Sequence, residues 1–313
     1  MGSLLGGVLA LLIFRRGVPH VAWIVGYLIL LWLLFTLYTL VRRSLEKRGR
    51  RFVITAVDYT IQTLLHGLLL FILPGYFAST TFTSVNVWFF LLLVGLALLT
   101  TVDPWYRGLV LPRRWAIYVL FGVSIFAALN VALPLVGVRP ARALFGSAAL
   151  GGLALTPTLG RLPYGSWRSA WLRSCLFAAL ALAIVWPLRS FIPPAPVHLA
   201  RATMARTVNG LEPAEPFRGT ISLADLRSWG GLVAYTAVYA PAGVRQPILH
   251  IWRKDGQPVD TISLSPIRGG RTEGFRTYSR KTSLGADAAG RWSVDVVTAS
   301  GQLIGRLRFT VRP

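Results

Sequence analysis

The sequence predicts a polytopic α-helical membrane bundle followed by an all-β immunoglobulin-like sandwich. Three observations predict it. Residues 1–192 hold six long, nearly charge-free apolar runs, and runs of about 20 residues match the roughly 30 Å hydrocarbon core of a bilayer. Residues 200–313 hold no such run and alternate instead in short period-two segments. Between them Pro193-Pro194-Ala195-Pro196 is stiff and a poor helix former, which makes 193–199 a linker.

Composition agrees. Mean hydropathy is +0.58 and 54% of residues are hydrophobic, outside the range of ordinary soluble domains. The formal net charge of +22 divides into +14 for residues 1–196 and +8 for residues 197–313. Of the 33 basic residues only Lys47, Lys254 and Lys281 are lysines. A basic excess fits anionic lipid as well as nucleic acid. Without a helix-turn-helix, RNA-recognition or zinc pattern, no nucleic-acid partner is expected. Cys175 is the single cysteine and lies in an apolar run. It excludes an intrachain disulfide and reads as a small buried hydrophobe.

The spans follow in order. Residues 3–14 are too short to cross comfortably and lack the basic start and cleavage site of a signal peptide. They are expected to form one short N-terminal helix, cut from a longer one whose start lies upstream. Val18–Val41 is the first long span, Phe52–Tyr76 the second, with a turn from Pro74 to Ser84. Val85–Thr101 is the third and ends at Asp103-Pro104; Trp115–Val138, Ala143–Gly160 and Ala170–Ile192 complete the six. Gly151-Gly152 reads as a close helix contact.

Lys/Arg asymmetry sets the orientation. With Arg42–Arg51 cytoplasmic, the loops on that side hold twelve basic residues, including Arg107, Arg113, Arg114, Arg161, Arg168 and Arg173. The opposite side holds five: Arg15, Arg16, Arg139, Arg142 and Arg189. The segment after Ile192 then emerges outside, which in a Gram-negative cell is the periplasm.

The second span carries Thr55, Asp58, Gln62 and His66. At 100° per residue, positions 58, 62 and 66 share one helix face. Asp58 would lie about 9 Å deep and His66 about 21 Å deep. A mid-span Asp costs roughly 2.5–3.5 kcal/mol, which demands a partner or a wet cavity. A proton or ion relay would use this stripe. Interhelical hydrogen bonding would use it equally well, as would a meeting of Asp58 with Arg51 or Arg107, and no second charged stripe completes a pathway.

In the C-terminal part, Leu232–Tyr239, Pro247–Arg253, Gln257–Leu264, Gly274–Lys281, Arg291–Ala299 and Gln302–Val311 read as strands. Lys254-Asp255-Gly256 closes a hairpin between the second and third of these. In the last strand Leu303, Gly305, Leu307, Phe309 and Val311 are expected on one face. Seven or eight such strands fit the sandwich. His250 and Trp252 share a strand face, near Arg268, Arg271, Arg276, Tyr278, Arg280 and Lys281. Arg forks beside aromatic rings suit an anionic sugar, phosphate or carboxylate. The same residues also suit a packed core with a basic loop lying on lipid.

The order His-x-Trp at 250–252, Arg-Thr-Tyr-Ser-x-Lys at 276–281, Gly-x-Trp-x-Val at 290–294 and Phe-x-Val at 309–311 resembles bacterial domain of unknown function 2914. Gln62 and His66 ahead of Leu73-Pro74, then Ser79-Thr80 and Asp103-Pro104, resemble domain of unknown function 5924, the helical part of proteobacterial inner-membrane proteins. The resemblance implies fold and location and no catalytic residue. Four scattered histidines offer no metal-ligand spacing, and no nucleophile elbow, phosphate loop or dinucleotide fingerprint is present. The expectation is a non-enzymatic inner-membrane protein without cofactor or metal. Its periplasmic sandwich would recognise an envelope protein or an anionic envelope polymer. The alternative is a small proton- or ion-coupled transporter using Asp58, Gln62 and His66.

Overall fold

A computed structural model describes residues 21–156, 166–285 and 287–313. The hydrophobic segment 3–14, Arg15, Arg16, Arg161 and the end of the expected fifth span lie outside the described residues. The chain divides into two compact units. In its described residues one is helical and lies within Met1–Gly75, Trp88–Leu133 and Arg142–Leu188. The other comprises Arg189–Pro313 together with two segments from between helices, Tyr76–Val87 and Pro134–Ala141.

The helices are α1 (Val21–Lys47), α2 (Arg51–Ser79), α3 (Val87–Thr101), α4 (Arg114–Leu135), α5 (Pro140–Leu153) and α6 (Trp167–Leu188). Among the described residues three helical stretches are long and apolar enough to cross a membrane: Arg51–Ser79, Trp115–Leu135 and Trp167–Phe191. A fourth candidate is α3 with the turn after it, Asp103–Val110, bent by 94° at the break. Fourteen-residue α5 is shorter than the span expected over Ala143–Gly160. Helix α2 runs through Pro74 instead of turning there, so the turn starts at Thr80. A proline removes one backbone bond, which packed neighbours in a helical bundle can compensate.

Small residues let the helices touch. A Cβ on Gly152 of α5 would lie 2.7 Å from Ala178 N of α6, and one on Gly151 would lie 3.4 Å from Gly122 O of α4. Backbone thus meets backbone on both sides of α5. Tyr27 of α1 reaches over Gly67 to donate to Leu64 O at 2.8 Å. Apolar side chains such as Leu30, Leu37, Leu91, Leu98, Leu176 and Leu180 stay exposed on the outer helix faces. Cys175 is exposed as well, which corrects the expectation of a buried thiol.

In the second unit β1 (His198–Asn209), β2 (Glu212–Phe217), β4 (Leu232–Tyr239) and β9 (Phe275–Lys281) form a sheet in the order β2-β1-β4-β9. A second sheet has the order β3-β11-β10-β6-β7, from β3 (Gly219–Ser222), β6 (Ile248–Lys254), β7 (Gln257–Ser263), β10 (Gly290–Thr298) and β11 (Leu303–Arg312). A two-stranded ribbon pairs β5 (Arg245–Gln246) with β8 (Ile267–Arg268). Helix α7 (Leu223–Trp229) follows β3; the Ser222 hydroxyl caps it by accepting from Asp225 N at 3.0 Å. The β6–β7 hairpin turns at Asp255 (φ 47°) and Gly256 (φ 86°), the doubly positive pattern of a type I′ turn.

Both large sheets feed one core, with Met204, Ala234 and Val238 from the first and Trp252, Trp292, Val294 and Phe309 from the second. The Phe309 ring stacks on Trp292 at 6.1 Å and meets Trp252 edge-on. The alternation expected along β11 breaks at one place. Val296 of β10 pairs with Gly305, but Val297 pairs with Leu303, leaving Ile304 as an extra residue. That bulge turns Ile304 into the core and Leu303 out of it. The Pro-rich segment, expected as a linker, packs as part of this unit: Ile192, Ala195 and Val197 are buried, and Gln302 Nε2 donates to Ile192 O at 3.2 Å.

Candidate functional site

The polar stripe expected on α2 divides in two. Thr55 spends its hydroxyl on its own helix, donating to Arg51 O at 3.1 Å. Asp58 is partly exposed and interacts with Tyr38 and Arg42 of α1. Gln62 and His66 are buried and face the end of α3. There the helix breaks at Asp103-Pro104. Pro104 has no N–H to give Thr100 O, the carbonyl four residues back. Gln62 Nε2 donates to that carbonyl at 2.9 Å and to Asp103 Oδ1 at 2.8 Å. A side-chain amide on α2 thus replaces the missing backbone donor and fastens both sides of the bend.

His66 acts one residue further along. Thr101 donates its hydroxyl proton to Ala97 O at 2.7 Å, so His66 Nδ1–H donates to Thr101 Oγ1 at 3.0 Å. His66 Nε2 is then an acceptor, buried and without a partner among the described residues. Beyond the bend, Tyr106–Val110 forms a π-helical turn whose Gly108 and Leu109 carbonyls accept from Arg113. Asp58 makes none of the Gln62 and His66 hydrogen bonds at the bend.

The candidates in the β unit are dispersed. His250 and Trp252 are fully buried, which removes both from any surface site. They tie the two large sheets instead. Trp252 Nε1 donates to Ser279 Oγ at 3.0 Å, Ser279 Oγ meets His250 Nδ1 at 2.8 Å, and His250 Nε2 meets Thr236 Oγ1 at 3.2 Å. With Ser279 donating to Nδ1 and Nε2–H donating to Thr236, every polar atom is satisfied by a neutral imidazole. Burial pushes the His250 pKa down to about 4.

Arg276 is ion-paired to Glu212 at 2.7 Å and Glu273 at 2.8 Å; Glu212 also takes Arg201 at 3.0 Å. Lys281 holds Asp260 at 2.9 Å and keeps its carboxyl below the usual carboxylate range. Arg271 lies over the Phe275 ring. Tyr278 and Arg280 point outward from β9, one of the two edge strands of its sheet. Among the described residues no three His, Cys, Asp or Glu side chains form a group that could hold a metal ion.

Residues unremarkable in the sequence join the interhelical segments to the β strands within the second unit. Asn86, fully buried, accepts from Thr81 N and donates to Leu303 O at 3.4 Å. Arg306 and Arg308 of β11 both donate to Thr83 O. Arg306 and Arg253 converge on buried Asp295. Gly137 and Gly243 meet backbone to backbone, both at positive φ; a Cβ on Gly243 would lie 3.3 Å from Gly137 Cα. Only glycine fits such a contact in that conformation.

A family of unknown function, DUF5924, matches residues 1–233, and a second, DUF2914, matches residues 245–311. The first match runs past the helices through β1, β2 and β3 into β4, and the second covers the strands from β5 to β11. Each large sheet therefore draws strands from both matches. No curated protein matches the chain.

Proposed function

The chain belongs to the DUF5924 family, whose description carries no activity, and from its structure we propose a multi-pass bacterial inner-membrane protein with six crossings that displays a periplasmic β domain. The domain is an immunoglobulin-like sandwich that recognises an envelope protein or anionic envelope polymer without catalysis. One observation carries this reading. Tyr76–Val87 and Pro134–Ala141, the two interhelical segments poor in basic residues, fold with the β strands. The basic segments around Arg42–Arg51 and Arg107–Arg114 do not. That division is the one Lys/Arg asymmetry expects between the two sides of a membrane. Trp88, Trp105, Trp115, Trp167, Trp171 and Trp186, each more than half exposed near a helix end, support interfacial belts at both boundaries.

The recognition surface we assign is the outward face of β9, with Tyr278 and Arg280. Edge strands accept partners readily. A photocrosslinking side chain at Tyr278, in the full chain in native membranes, should capture a discrete partner. The same probe at Arg291 should not. Identical products from both positions would overturn the assignment.

A proton- or ion-coupled transporter is the second reading, favoured by the unpartnered Nε2 of buried His66. Asp58→Asn with His66→Ala separates the two: an unchanged cellular phenotype at equal protein level rejects transport through the stripe.

A further inference from the structure

Arg245 and Arg268 are direct cross-strand partners on the β5–β8 ribbon, both exposed. Gln246 and Ile267, one step along, are buried beneath. The two guanidinium groups therefore project from the same face. Like charges directly opposite each other repel, and among the described residues neither forms an ion pair. Arg271 is exposed on the turn that follows. The ribbon is rigidly held: Gly269 N donates to Val244 O, Gly270 N donates to Ala240 O, and a Cβ on Gly269 would lie 1.8 Å from Pro241 O.

The position of the ribbon within its unit identifies the partner. Gly243, two residues before Arg245, touches Gly137, two residues after the end of α4 and two before exposed Arg139. Ala299 N donates to Pro247 O beside the ribbon. The next residue, Ser300, accepts from Arg189, directly after α6. Within the second unit, the segment Pro134–Ala141 and Arg189 thus meet the same end of the β strands. Asp255 and Arg291 mark the opposite end of β10.

We infer that Arg245 and Arg268, with Arg139 and Arg271 beside them, bind the phosphate of an anionic lipid headgroup at the outer membrane–water boundary. The inference rests on the membrane-spanning reading but not on the β9 partner. Arg forks match phosphate bidentately, and a headgroup relieves the repulsion across the ribbon.

The test uses the full chain in nanodiscs, with phenylglyoxal labelling of arginines read residue by residue. Arg245, Arg268 and Arg271 should label about tenfold more slowly in phosphatidylcholine–phosphatidylglycerol discs than in phosphatidylcholine discs. Arg291 should label equally in both. The difference should vanish at about 1 M salt, where the Debye length is about 3 Å. In Arg245→Gln/Arg268→Gln, labelling of Arg271 should no longer depend on lipid charge. Equal labelling in the two discs overturns the inference, as does slowing of Arg291 to the same degree. Protection by soluble glycerol phosphate in phosphatidylcholine discs would assign the site to a free phosphate and overturn it as well. Failure to insert into discs at all would instead refute the membrane reading.

Discussion

Two buried histidines show how differently the two units use polar side chains. His250 joins two sheets and has a partner for each ring nitrogen. His66 sits beside a helix break and, among the described residues, has a partner for only one. In the β unit the backbone is paired by the sheets, so side-chain polarity is left to lock one sheet onto the other. In the helical unit Pro104 interrupts the backbone pairing, and a side chain from another helix repairs it. Within hydrocarbon an unsatisfied carbonyl costs several kcal/mol. Gln62 and His66, the deeper half of the stripe, therefore read first as the support of a bend.

Crowding the helices should have the largest effect. Gly152→Val places a branched side chain where a single Cβ already lies 2.7 Å from Ala178 N. The backbone cannot yield as a flexible side chain would, so folded protein should be lost, seen as the disappearance of the monodisperse peak in detergent chromatography.

Next in size is the pH response of His250. Its pKa is about 4 when folded and about 6.5 when free. The unfolded chain takes up the proton first as pH falls. The stabilisation is complete above about 6.5 and is lost progressively down to about 4, by about 3 kcal/mol in all. Unfolding followed through the near-ultraviolet signal of Trp252 and Trp292 should show this slope, and His250→Gln should flatten it.

Gln62→Leu should cost about 1–2 kcal/mol, the scale of an interhelical hydrogen bond in a membrane. The loss should shrink in a Pro104→Ala background, where residue 104 regains an N–H for Thr100 O. Equal costs in both backgrounds would deny the repair. The smallest effect is expected for Arg276→Ala, whose exposed ion pairs contribute little; the melting temperature should not move.

Much of the β unit is legible because its strands alternate. The pattern marks Leu232–Tyr239 to the residue, and Asp255-Gly256 marks its turn. β1 escapes the pattern because His198–Asn209 mixes Arg, Thr and Ala without clean alternation. β3 escapes it because its parallel pairing with β11 joins residues about ninety positions apart, and nothing local encodes that. Helix α7 does carry a signal, Ser222 three residues before Asp225. Pro74 misleads in the other direction, as a break that the packed helix absorbs.

The site is less legible. Period 3.6 places Asp58, Gln62 and His66 on one face, but cannot show that the partner of Gln62 is a carbonyl orphaned by Pro104. Strand parity pairs His250 with Trp252 correctly, yet parity does not tell an inward face from an outward one. Asn86 and Thr83 carry no signal at all, since their partners Leu303, Arg306 and Arg308 lie more than 200 residues away.

Single cysteines introduced at Val85 and at Arg113, in a Cys175→Ser background, separate the two sides of the membrane in intact spheroplasts. An impermeant maleimide should label position 85 together with a cysteine placed at Thr310 in the β domain, and should label position 113 only after lysis. Labelling of position 113 in intact spheroplasts, with positions 85 and 310 protected, would contradict this orientation.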